Sequence, residues 1–180
     1  MRVIRGKYKG RKIPQALSSR VRPTTDKGRE ALFSILQNMT DLSGAHVLDL
    51  FTGSGTVAAE FASAGAARVD AIELDRHQAR NLKKVMDDLG MPEINVLNRD
   101  ALRYIDKTEH SYDLIFADPP YGHKDTQKIP DHVARAGILK KDGWLIIEHD
   151  AKTDLSALSN FHETRTYGKV GFSFFQFDTP

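Results

Sequence analysis

The 180-residue chain contains no cysteine. That excludes disulfides, cysteine-ligated metals and every mechanism that needs a thiolate. Long apolar runs are also missing, and no stretch approaches the roughly 18–20 consecutive apolar residues of a membrane helix. The N-terminus is basic from Arg2 onward and lacks the apolar segment of a secretory signal. A cytoplasmic protein with no membrane partner and no metal site is expected. What remains is ordinary for a globular chain, 40% hydrophobic and 28% charged. It is long enough for one domain with a sizeable core, or for a domain plus a small appendage.

The net charge of +2 conceals an asymmetry. Residues 1–30 hold ten Lys and Arg (Arg2, Arg5, Lys7, Lys9, Arg11, Lys12, Arg20, Arg22, Lys27, Arg29) against two acids, Asp26 and Glu30. The other 150 residues are therefore net acidic. A basic arm on an acidic body is the footprint of a polyanion-binding extension. A solvated tail is the bland alternative. Val3, Ile4, Tyr8, Ile13 and Leu17 are interspersed with the charges, however, and Lys9-Gly10 suits a turn. A folded basic hairpin is the better reading.

From residue 25 the pattern turns helical, with Thr25 or Asp26 as cap and Ala31, Leu32, Ile35, Leu36 and Met39 along one face. Strands are then expected at 46–51, 68–74, 94–98, 112–117 and 144–148. Helices are expected between them at 56–63, 76–89, 100–105 and 127–136. Such alternation means a doubly wound α/β sheet, mostly parallel. The last two strands, 161–167 and 172–177, are separated by only Gly168-Lys169-Val170-Gly171 and must pair antiparallel. Phe174, Phe175 and Phe177 beside Tyr167 read as core and edge packing rather than as a base-stacking platform. The division expected is a basic hairpin-and-helix extension over residues 1–42 and the α/β domain over 43–180.

Ligands of such sheets sit beyond the carboxyl ends of the strands. Three successive strand ends carry suitable chemistry. VLDLFTGSG places Asp49 and Phe51 beside Gly53, Ser54 and Gly55, where glycine permits close backbone approach. Gly53-x-Gly55-x-x-Ala58 also fits a dinucleotide fingerprint, so a nicotinamide enzyme stays open on this loop alone. In AIELD, Glu73 can accept from two ribose hydroxyls, with Leu74 next to it. After the third strand, Asp100-Ala101 can meet an adenine amino group. Asp100 and Asp75 are equally good helix caps. Together these positions point to a ligand with an adenosine.

The fourth strand ends in DLIFADPPYG. A proline pair cannot continue a central strand and fixes the backbone carbonyls. Asp118 and the Pro119 carbonyl can each take one N–H of a planar exocyclic amine, which aims the nitrogen lone pair at an electrophilic methyl. Pro120 completes the rigid corner. Tyr121 offers a stacking face, a contact worth roughly 1–3 kcal/mol per base. Asp118 can take or relay the released proton. Positioning and electrostatics suffice for such a transfer. Methylation at cytosine C5 needs a cysteine nucleophile and is excluded.

VLDLFTGSG, AIELD, NRDAL and DLIFADPPYG together resemble the class I S-adenosylmethionine-dependent methyltransferases. More closely, MRVIRGKYKGRKIP, RPTTDKGREALFSIL and YGKVGFSFFQF resemble the RsmD family, which methylates guanine N2 in small-subunit (16S) ribosomal RNA. The likeness runs over nearly the whole chain. It implies that Gly53, Ser54 and Gly55 wrap the methionine part of S-adenosylmethionine, with Asp49 and Phe51 in the same loop. Glu73 and Leu74 would take the ribose side, Asp100 and Ala101 the adenine, and Asp118, Pro119, Pro120 and Tyr121 the target guanine. Arg22, Thr24 and Arg29 would border the site toward cofactor or RNA, while Arg2, Arg5, Lys7, Lys9, Arg11 and Lys12 bind phosphates. The implied enzyme is a monomer acting on ribosomal RNA, within a small-subunit particle. Two alternatives remain: a DNA adenine N6 methyltransferase, and a cofactor-retaining RNA-binding assembly factor without turnover.

Overall fold

The computed structural model describes residues 1–14, 26–120 and 122–177. Helix α1 (Asp26–Met39) leads into β1 (His46–Leu50), α2 (Thr56–Ser63), β2 (Arg68–Glu73), α3 (Arg76–Asp88) and β3 (Ile94–Asn98). Then come α4 (Ala101–Lys107), β4 (Tyr112–Ala117), α5 (Ile129–Ala136), β5 (Leu139–Asp150), β6 (Phe161–Tyr167) and β7 (Val170–Phe175). The strands form one sheet in the order β3-β2-β1-β4-β5-β7-β6. From β1 the chain winds outward to β3, then crosses back to β4 on the other side of β1. The loops leaving β1 and β4 therefore diverge, and a crevice opens between them at the carboxyl edge.

Both faces of the sheet are covered, so β1 and β4 are buried along nearly their whole length. Alternation sends Val47, Val69, Ala71, Leu114, Phe116, Ile146, Phe172 and Phe174 into one core beneath α1, α2 and α3. Leu48, Leu50, Ile72, Ile115, Ala117, Ile147 and Phe175 enter the other, beneath α4 and α5. On α3 the buried Ala79, Leu82 and Met86 recur at helical spacing, and Asp75 caps the helix by accepting the Gln78 N–H at 2.9 Å.

The expected mostly parallel sheet with an antiparallel C-terminal hairpin is present. The last strand is not the edge strand: β7 lies between β5 and β6 and pairs antiparallel with both. It begins at Val170, after a two-residue turn with Gly168 at φ 62°. Phe174 and Phe175 are fully buried, as the core reading required, and Phe177 is half-buried. Strand β5 is longer than expected because it starts at Leu139 and detours through Asp142, whose φ is 62°, before regaining register at Trp144.

The expected basic hairpin is reduced to one bridge, Arg2↔Lys12, flanked by Val3 N–H to the Arg11 carbonyl (3.0 Å) and Ile13 N–H to the Met1 carbonyl (2.8 Å). Its apolar side chains Val3, Tyr8 and Ile13 enter the α1–α3 core. Polar contacts seat it on α2: Ile4 N–H on Glu60 (2.8 Å), Lys7 N–H on the Ser63 carbonyl (2.9 Å) and Tyr8 N–H on Ser63 Oγ (2.9 Å). Gly6 is required at this contact. Its φ is 79°, and a Cβ there would overlap the Ser63 carbonyl.

Candidate active site

At the end of β1 the backbone turns sharply. Phe51 adopts a left-handed φ of 62°, Thr52 N–H reaches the Ile72 carbonyl on β2 (2.9 Å), and Gly55 N–H closes onto the Thr52 carbonyl (2.8 Å). Gly55, at φ 71°, is the residue before α2, and a Cβ there would collide with Leu82. The loop is thereby pinned to both β2 and α3, leaving its backbone as the lining of the crevice. Ser54 and Thr56 hydroxyls bond at 2.7 Å, and Thr56 lies 3.8 Å from Met1 Sδ, so the N-terminal arm touches the glycine loop.

Asp49 sits under this loop, buried, with Thr52 Oγ1 donating to its Oδ2 at 2.6 Å. Burial pushes its carboxyl up to about 7 despite that hydrogen bond, and the neighbouring Asp118 and Glu73 charges push the same way. Glu73, at the end of β2, accepts the Gly53 N–H (3.2 Å) and the Asp75 N–H (2.9 Å). Burial raises its pKa while these amides oppose the rise. Asn98, at the end of β3, donates to the Glu73 and Leu74 carbonyls at 2.9 and 2.8 Å and holds the two strand ends together.

Leu74 is 69% exposed at this edge, a large apolar side chain with its face to solvent. Asp100 caps α4 through the Arg103 N–H at 3.0 Å, and Ala101 behind it is buried. The cap role weighed from sequence is thus real. It leaves acceptor capacity on the Asp100 carboxylate, which offers about four lone-pair directions.

Asp118 leaves β4 still in line with β1, its N–H directed at the Leu50 carbonyl at 3.4 Å. Asp49 pairs with Phe116, so alternation places Asp49, Asp118 and Glu73 on the α1–α3 face of the sheet. Pro119 is buried and Pro120 exposed. The Pro120 carbonyl accepts the His123 N–H at 2.9 Å across Gly122, whose φ is 71°. The His123 ring meets Phe51 edge-on at 5.3 Å, which ties the turn after β4 to the glycine loop. Tyr121, Arg22 and Thr24 lie outside the described residues.

A family model described as "Conserved hypothetical protein 95" matches residues 1–176. The ribosomal RNA small subunit methyltransferase D of Buchnera aphidicola subsp. Baizongia pistaciae is 33% identical over 145 residues, covering 81% of this chain and 70% of that protein. The protein of that name from Escherichia coli K12 is 28% identical over 98% of this chain and 89% of its own length. The solved structure of Escherichia coli yhhF superposes with a TM-score of 0.87 at 27% identity, covering 100% of this chain and 99% of that one. The chain belongs to the RsmD family of rRNA methyltransferases. Its sheet is the class I methyltransferase fold.

In this RsmD-family chain, one residue expected at the RNA side is elsewhere. Arg29 is fully buried, 3.6 Å from Glu60, and donates to the Arg2 carbonyl at 3.2 Å. It anchors the arm and has no solvent-facing surface for a phosphate. Two other arm cations also serve the fold: Lys7 pairs with Glu93 at 2.7 Å, and Arg11 donates to the Leu89 carbonyl at the end of α3. Both remain exposed, as do Arg2, Lys9 and Lys12, while Arg5 is half-buried.

Sequence reasoning missed Thr52, Asn98 and Glu60. Thr52 and Asn98 were findable as polar residues at strand ends. Glu60 was not, because its partners lie 31 and 56 residues away in sequence. Among the described residues no helix is long and apolar enough to cross a membrane, and no group of three or more side chains suits a metal ion.

Proposed function

We propose that the protein transfers a methyl group from S-adenosylmethionine to the exocyclic N2 amine of a guanine in small-subunit ribosomal RNA. The observation that carries this reading is the placement of Asp118. It leaves β4 next to the glycine loop, on the same face as Asp49 and Glu73, with buried Pro119 fixing the following carbonyl. The relatives named for small-subunit ribosomal RNA support that RNA as the substrate.

The residues at the three strand ends fit an adenosine-bearing cation. The crevice edge carries carboxylates and no described cation pairs with Asp49 or Glu73, and Leu74 presents the apolar surface that a planar base covers. Gly53, Ser54 and Gly55 would hold the methionine end, Glu73 the ribose, and Leu74, Asp100 and Ala101 the adenine. Bound there, S-adenosylmethionine supplies a methyl group on a positively charged sulfur.

The chain's own part is positioning. Asp118 and the Pro119 carbonyl accept the two N–H bonds of the amine, which turns its lone pair out of conjugation with the ring. Tyr121 stacks on the flipped base. Asp118, as one acceptor of the amine, takes or relays the proton as the nitrogen becomes cationic. The exposed arm cations contact phosphates, and the reading includes a cytoplasmic monomer that works on a small-subunit particle.

The test is labelled methyl transfer from S-adenosylmethionine to small subunits of a strain lacking the gene, followed by nucleoside analysis. Labelled N2-methylguanosine is expected. Labelled N6-methyladenosine would move the assignment to an adenine enzyme, and tight cofactor binding without label would make the protein a non-catalytic assembly factor.

A further inference from the structure

Glu148 stands one residue past Ile147 on β5, and Ile147 pairs with Ala117, the residue before Asp118. Neighbouring strands lie about 4.8 Å apart. The backbones of Asp118 and Glu148 therefore come side by side at the carboxyl edge of the sheet. Ala117 and Ile147 point into the α4–α5 core, and Phe116 and Ile146 into the α1–α3 core. Alternation thus turns both Asp118 and Glu148 to the face that carries Asp49 and Glu73. On its other side Glu148 pairs with Phe172, itself buried in that core. Glu148 is 5% exposed, so a hydrogen bond to it forms out of water, where it is strong and selective.

A guanine presents three N–H bonds around C2: two on N2 and one on N1. Asp118 and the Pro119 carbonyl account for the N2 pair and leave N1–H facing the next strand, β5. We propose that Glu148 accepts this N1–H and so selects guanine as the target base. Adenine has a lone pair on N1, which would face the Glu148 carboxylate with no proton between them. Glu148 thereby excludes the base that the Asp-Pro-Pro-Tyr corner alone accepts equally well. This assignment rests on the guanine N2 reading of the site.

The experiment uses the full chain and small-subunit RNA in which the guanine identified by labelling is replaced by 2-aminopurine. That base keeps the reacting amine at C2 but carries no proton on N1. Wild-type kcat/KM is expected to favour guanine over 2-aminopurine by about tenfold to a hundredfold, the effect of exchanging the N1–H hydrogen bond to Glu148 for a lone pair facing the carboxylate. In Glu148→Gln the neutral amide can accept from N1–H or donate to bare N1, so the ratio should collapse toward one. Cofactor affinity of the variant should match wild type, which certifies its fold. A wild type that does not discriminate overturns the assignment without any variant. A ratio unchanged in Glu148→Gln, with both rates lowered together, overturns it as well and leaves Glu148 a wall residue. No transfer to guanine N2 by the wild type overturns the underlying reading and this assignment with it.

Discussion

Arg29 Nε lies 3.6 Å from Glu60 Oε1, with 0% and 1% of the two side chains exposed. The pair joins α1 to α2, and each member also holds the N-terminal arm: Arg29 donates to the Arg2 carbonyl and Glu60 accepts the Ile4 N–H. Burial raises the Glu60 pKa, while the Ile4 amide and the Arg29 charge pull it back. The basic arm, expected from sequence to be a folded hairpin rather than a solvated tail, is therefore built into the core beside the glycine loop.

Removing one partner of a buried ion pair leaves the other charged and dry, which costs about 3–5 kcal/mol. Arg29→Ala should lower the urea midpoint accordingly and loosen the arm, read by faster amide exchange at Ile4 and Tyr8. Unchanged stability with a flatter salt dependence of RNA binding would instead return Arg29 to the RNA surface.

On the proposed reading, Asp118→Ala removes the acceptor for the amine and for its proton. Methyl transfer should fall at least about 10²–10³-fold, the scale for deleting one preorganised electrostatic contact. Calorimetric affinity for S-adenosylmethionine should stay within about threefold, about 0.7 kcal/mol. Full turnover in the variant would refute the role given to this carboxylate.

Glu73→Gln keeps the shape of the side chain but weakens the acceptors that the proposed reading gives to the ribose hydroxyls. Cofactor affinity should drop by about tenfold, corresponding to one charge-assisted hydrogen bond. Glu73→Ala should cost more, because the Gly53 and Asp75 amides lose their acceptor as well. Equal affinity in both variants would place the ribose elsewhere.

Asp49 titrates at about 7 when folded, against 3.8 for a carboxyl of this type free in water. Its folded pKa is raised, so its contribution to stability is fully present below about pH 4 and is lost as pH rises through about 7. At about 1.4 kcal/mol per pH unit the loss is of order 4 kcal/mol. Asp49→Asn removes this slope, so the urea midpoint of the variant should exceed wild type at pH 8 and approach it at pH 4. Glu60 and Glu73 shift in the same direction, so wild type should retain more pH dependence than Asp49 alone supplies. Parallel pH profiles for the two proteins would show that Asp49 ionises normally.

The exposed arm cations predict a salt-dependent RNA affinity. Reversing Arg2, Lys9 and Lys12 to Glu should reduce the log–log salt slope by about 2–3, at roughly 0.7–0.9 per phosphate contact. Lys7→Ala and Arg11→Ala should also destabilise the arm, since they remove the Glu93 pair and the contact with the Leu89 carbonyl. A slope untouched by the triple reversal would remove the arm from the RNA interface.

The alternating elements and the residues at the strand ends were legible in the sequence because their signals are local. Thr56–Ser63, Ile94–Asn98 and Tyr112–Ala117 carry their bounds in periodicity and in the glycine and acid that flank them. The detour of β5 at Asp142 and the insertion of β7 between β5 and β6 were not legible, since pairing partners are chosen by the whole sheet. Asp100 shows both limits at once, because a cap and a ligand contact demand the same residue at the same place.

By itself the sequence determined the fold class, the strand ends that carry Gly53, Glu73, Asp100 and Asp118, and a basic N-terminus. Only the tertiary structure decided which of those charges face solvent. It buried Arg29 against Glu60, set Asp49, Glu73, Asp118 and Glu148 on one face of the sheet, and lifted the Asp49 carboxyl to about 7. Charge is written residue by residue, but burial and the distance between charges exist only once the strands have packed.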